Sequence, residues 1–108
     1  MSTRLCLLFL VGCATDAPPA APTNVSITLL GAGAHVTWVD NSSDENEFVI
    51  LRMQVGTDSQ LRELARVPFN TTAYHDEPIT AGATYMYAVH ASNAAGEAAS
   101  TTATFVAP

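Results

Sequence analysis

The chain has 108 residues, with ten acidic side chains against four basic ones and a formal net charge of -6, a length that holds one domain. All the basic residues are arginines, Arg4, Arg52, Arg62 and Arg66, too few and too scattered for a phosphate-backbone binder, so no nucleic acid is expected as a partner. The two cysteines, Cys6 and Cys13, sit close together near the start, which fits neither a disulfide scaffold nor a cysteine-based zinc site. In chain order, Met1 to Arg4 carries one positive side chain, and Leu5 to Val11 is an unbroken apolar run. That run is far short of the roughly 20 residues a spanning helix needs. It is long enough for the apolar core of an export signal.

Directly after the run, Leu10-Val11-Gly12-Cys13 resembles a bacterial lipoprotein signal motif. The resemblance implies cleavage before Cys13 and a membrane lipid joined to its thiol, with residues 1–12 removed. Ala14 stands where an aspartate often retains such proteins at the inner membrane, so the expected address is the bacterial cell envelope, at the outer membrane. An ordinary secretory signal, a displaced start and a buried N-terminal strand are the other readings of the segment. Several acyl chains anchor durably where one does not. Processing removes Arg4 and no acid, which takes the formal charge from -6 to -7. Residues 13–24 form a lipidated tether rich in Ala and Pro, which favours extended backbone and gives a reach of about 25–30 Å.

From residue 25 onward the pattern is of short strands. Val25, Ile27 and Leu29 alternate with polar residues, Gly31-Ala32-Gly33 turns, and Ala34, Val36 and Trp38 alternate again. An acidic loop covers Asp40 to Glu45 and precedes the apolar stretch Phe48 to Met53. Leu61 to Val67 is ambiguous between a strand and a helical turn or two. Thr71 to His75 is rich in strand formers, Tyr85, Tyr87, Val89 and Ala91 alternate most clearly, and Thr101 to Val106 is the last strand. Seven short strands predict an antiparallel sandwich. Its expected core contains Val25, Ile27, Val36, Trp38, Phe48, Ile50, Leu61, Val67, Tyr74, Ile79, Tyr85, Tyr87, Val89 and Phe105.

Three stretches carry a second resemblance. Trp38 to Arg52, Thr72 to Asp76 and Ile79 to Gly96 are similar to segments of the fibronectin type III family. Leucine is usual at Ile79, proline at Ala81, and glycine is frequent at Glu47. The resemblance implies an all-β, seven-stranded antiparallel immunoglobulin-like sandwich over 25–108, with strands A-B-E in one sheet and C-C'-F-G in the other. Tyr85 follows a glycine turn at the start of a strand, where a phenol can bury its ring and bond the preceding turn as a tyrosine corner. Trp38 and Tyr85 are thus expected to be structural core.

No catalytic set is visible. Ser42, Ser43 and Ser59 lack a histidine base with an orienting acid at any recognisable spacing. His35, His75 and His90 read as solvated surface residues, with His35 and His90 on outer faces of opposite sheets. Asp40, Asp44, Glu45 and Glu47 do not follow the spacing of an EF-hand loop, and Asp and Asn side chains commonly cap turns. No cofactor or metal is expected. Beside Phe48, Ile50 and Arg52, the residues Val49, Leu51 and Met53 point outward. With Met86, Ala88 and His90 of the neighbouring strand they form a possible contact surface, unless Leu61 or Leu64 folds over it. Family members mediate protein or carbohydrate contacts or space other domains apart. The expectation is a noncatalytic binding or adhesion module, or alternatively a structural component of a larger envelope or secretion complex.

Overall fold

The computed structural model describes residues 17–108. It has eight strands: β1 Thr23–Leu30, β2 Gly33–Val39, β3 Glu47–Gln54, β4 Arg62–Pro68, β5 Ala73–Asp76, β6 Thr84–Asn93, β7 Gly96–Ala99 and β8 Ala103–Val106. One antiparallel sheet has the order β1-β2-β5 and the other β4-β3-β6-β7, with β8 also beside β6. This is the expected division into A-B-E and C-C'-F-G.

The eighth strand arises because the last edge strand is broken in two. His90 pairs with Ala99 and Tyr87 with Ala103, so one extra residue is accommodated on the edge. Ser100 bridges the gap: its backbone N–H donates to the Val89 carbonyl at 3.0 Å, and its hydroxyl accepts the Val89 N–H at 2.9 Å. The ambiguous segment is strand β4, and a second bulge explains its helix-like pattern. Ile50 pairs with Ala65 and Leu51 with Glu63, which leaves Leu64 as the extra residue. Leu64 packs against the core, while Glu63 and Arg66, three apart, share the outer face and bond each other.

Alternation places Val36, Trp38, Phe48, Ile50, Tyr85, Tyr87 and Val89 between the sheets, fully buried or nearly so. Each such side chain contributes roughly 1.5–3 kcal/mol when removed from water. The Trp38 and Phe48 rings pack tilted at 57° with centroids 5.6 Å apart. Val25, Ile27, Val67, Tyr74, Ile79 and Phe105 close the margins.

The first strand begins at Thr23, and Ala17 to Pro22 lie against the domain instead of extending from it. Asn93 Nδ2 donates to the Ala17 carbonyl at 3.0 Å, and Asn41 Nδ2 to the Ala21 carbonyl at 3.0 Å and to Thr23 Oγ1 at 2.9 Å. Pro19 and Pro22 are buried. The chain therefore joins the sandwich at the end formed by the 40–46 loop, the 69–72 turn and the 94–95 turn. The opposite end carries the β1–β2 and β3–β4 turns, the 77–83 loop and Ala107-Pro108.

Candidate contact surfaces

On the outer face of the four-stranded sheet, register sets Val49 opposite His90, Leu51 opposite Ala88 and Met53 opposite Met86. Of the residues expected on that contact surface, Val49 is only 2% exposed. Leu64 packs against the core instead, and an ionic cluster stands beside Val49 on the outer face. Arg66, directly opposite Val49 on β4, bonds Glu63 at 2.9 and 3.0 Å, bonds Glu47, and reaches toward Glu97 of β7 at 3.8 Å. Glu97 in turn lies 2.8 Å from His90 Nδ1. The hydrogen bonds that Arg66 donates hold the Glu63 carboxyl below its ordinary range, and the same donation to Glu63 and Glu47 raises the guanidinium above its own. The arginine's methylenes supply the apolar surface while its head stays in water. Leu51, Met53, Met86 and His90 remain half-buried.

Tyr85 is buried, and its hydroxyl accepts the Thr80 N–H at 2.8 Å. Trp38 is also buried, and its Nε1 has no partner among the described residues. Between the sheets, Asp76 of β5 accepts two bonds from Arg52 Nη1, at 3.1 and 2.9 Å, and one from the Tyr87 hydroxyl at 2.6 Å. The Arg52 guanidinium also sits 5.5 Å from the Tyr85 ring centroid. Burial alone would lower the Arg52 value, but the hydrogen bonds and charge of Asp76 raise it above the ordinary range. Burial, reinforced by the same carboxylate, pushes the Tyr87 phenol far above the usual tyrosine range. Sequence patterning places Tyr87 in the core and Arg52 toward the rim of the same sheet but gives no sign that Asp76 joins them.

In the acidic loop, Asp40 and Glu45 use their oxygens to cap turns. Asp40 accepts the Ser42 N–H at 3.0 Å, Glu45 accepts the Ser42 hydroxyl at 2.7 Å, and Glu45 also accepts the Asn70 N–H at 3.0 Å. Burial would raise the Glu45 carboxyl, and these bonds more than reverse it, leaving it below its ordinary value. His35 and His75 are direct neighbours on β2 and β5, with ring centroids 6.2 Å apart, while His90 lies on the other sheet. His75 Nε2 is 2.7 Å from Glu77. Among the described residues no three His, Cys, Asp or Glu side chains are placed to hold a metal ion. Cys13 lies outside the described residues.

Two cavities stand at the end away from Ala17. One, of about 300 Å³, is lined by Arg52, Asp58, Arg62, Glu63 and Leu64, and its arginines are engaged by Asp76 and Asp58. The other, of about 280 Å³, is apolar and is lined by Leu29, Gly31, Ala32, Ile79, Ala81, Ala107 and Pro108. Leu30, 54% exposed on the other face of β1, and Val106, 63% exposed, stand at the same end. The sequence signal was the doubling Leu29-Leu30, which breaks the alternation of Val25, Ser26, Ile27 and Thr28 and so puts an apolar side chain on each face.

No family model matches the chain, and no curated protein matches it. Solved structures do. One described as a myokine structure is 28% identical, with 83% of this chain and 98% of that chain covered and a TM-score of 0.69. An Fn3-like protein from Clostridium thermocellum is 26% identical over 85% of this chain and 96% of its own, at a TM-score of 0.68. The FN3 domain of human collagen XX, 15% identical, covers 86% and 95% at 0.67. The fold is thus an FN3-like, all-β antiparallel sandwich.

Proposed function

We propose that this chain is a noncatalytic contact module, held at the bacterial outer membrane by a lipid on Cys13, whose apolar end receives a protein partner. The carrying observation is the cavity lined by Leu29, Ile79, Ala81 and Pro108, with Leu30 exposed at the same end, the end of the sandwich away from Ala17. Apolar side chains gathered around a recess are a recurrent feature of protein contacts. The anchor half of the reading rests on the Leu10-Val11-Gly12-Cys13 string after an apolar run. A bacterial Fn3-like protein of nearly the same extent supports an independent module of this size.

The test is a capture experiment from detergent-solubilised envelope with the full chain, beside Leu30→Asp and Ala81→Asp. Both sites are exposed, so the fold should survive. Loss of the captured partner with an unchanged thermal melt supports the contact end; unchanged capture in both variants refutes it. Intact mass reports the anchor separately. A chain beginning at Cys13 with added acyl mass is expected, and Cys13→Ser should leave an unlipidated precursor.

A further inference from the structure

We infer that the end of the sandwich nearest Ala17 seats directly on the lipid surface, with Phe69 entering the headgroup layer; this rests on the lipid at Cys13. The reasoning starts with chain length. Four residue steps separate Cys13 from Ala17, and a fully extended chain covers at most about 14 Å over that span. Ala17 is not free to lengthen the reach, because Asn93 Nδ2 holds its carbonyl at 3.0 Å. The headgroup layer of one leaflet takes up roughly 5–8 Å of the distance. The Ala-Pro segment, expected to stand the domain off the membrane, instead leaves it within side-chain reach.

Local contacts fix what that end presents. Asn93 Nδ2 also approaches the Asp44 carbonyl at 3.4 Å, and the Asn70 N–H donates to Glu45 at 3.0 Å, so Ala17, the 40–46 loop and the Phe69-Asn70 turn share this end. Asn70 holds a left-handed φ of 64° and the Thr71 N–H donates to the Pro68 carbonyl at 3.3 Å, which closes the turn and leaves Phe69 60% exposed. Val39 is exposed at the same end, and the β6–β7 turn there, Ala94-Ala95, carries no charge. Aromatic and apolar side chains on a rigid turn suit the boundary between water and acyl chains. Asp44 is exposed nearby, so the matching surface is a zwitterionic phospholipid and not an anionic one.

The experiment uses the full processed lipoprotein in phosphatidylcholine vesicles with brominated acyl chains. Phe69→Trp supplies a reporter at this end and Val55→Trp one at the other; the native Trp38 is buried and serves as a constant background. The indole introduced at position 69 should lose emission to the bromines, while the one at 55 should not. Equal or absent quenching at both positions overturns the seating. Intact mass on the same sample separates the two readings: a lipidated chain without quenching ends the seating alone, and a chain without lipid ends the anchor and the seating with it.

Discussion

The Tyr87 hydroxyl donates to Asp76 at 2.6 Å, from the middle of one sheet to the last residue of the edge strand in the other. Because Arg52 holds the same carboxylate, three side chains from β3, β5 and β6 tie the sheets together where the core ends. Tyr87→Phe should cost about 1.5–3 kcal/mol, the range for a hydrogen bond to a charged group. Asp76→Ala should cost more, about 3 kcal/mol, since it leaves a guanidinium and a phenol without their partner. Arg52 keeps part of its surface in water, which holds the loss to the lower end of that range. Urea midpoints give both values, and a Tyr87→Phe midpoint equal to wild type would remove the tie.

Tyr85→Phe keeps the ring and deletes the acceptor of the Thr80 N–H. Thr80 is itself exposed, so water can replace part of the lost bond. A loss of about 1 kcal/mol follows, smaller than for Tyr87→Phe. The same denaturation series ranks the two.

Acid should weaken the domain through Glu45. Its folded value lies below the ordinary 4.5 because Ser42 and the Asn70 N–H bond the carboxylate more strongly than burial opposes it. A carboxyl depressed in the folded state binds fewer protons there than in the unfolded chain. Its stabilisation is therefore complete above about 4.5 and drains as pH falls through the folded value. Glu45→Gln should lower the melting temperature at neutral pH and flatten the acid limb of a stability–pH curve. An acid limb as steep as wild type would exclude Glu45 as its source.

Leu51→Glu with Met53→Lys probes the face that carries the ionic cluster. Both side chains are half-buried beside Ala88 and Met86. The pair should cost some stability and leave partner capture unchanged, the reverse of Leu30→Asp. Thermal melting and the capture assay on the same preparations test this, and lost capture at an unchanged melt would return the contact surface to β3.

The strands of the core were legible because Val36, Trp38, Phe48, Ile50, Tyr85, Tyr87 and Val89 keep strict alternation, and a glycine turn before Tyr85 marks where its strand begins. What escaped lies where alternation fails or where a partner is distant in sequence. Leu64 hid β4, because a bulged residue brings Glu63 and Arg66 to one face at helical spacing. Val49 points outward as its position implies, yet it is buried, with Arg66, seventeen residues on, directly opposite it; a cross-strand neighbour leaves no local pattern. Asp76 is likewise an ordinary acid until topology brings Arg52 and Tyr87 to it. The Leu29-Leu30 doubling was visible, but only the 77–83 loop and Ala107-Pro108 make a recess of it.

The clasps on Ala17 and Ala21 have a mechanical consequence. A pull on the residues before Ala17 meets the side chains of Asn93 and Asn41 before it meets the β1–β2 ladder. Each clasp is a hydrogen bond worth about 1 kcal/mol, broken singly and able to re-form when tension falls. Together they work as a strain relief on a cable: small, reversible ruptures release slack over the loop and turn that carry them, and β1 bears load only after both have let go.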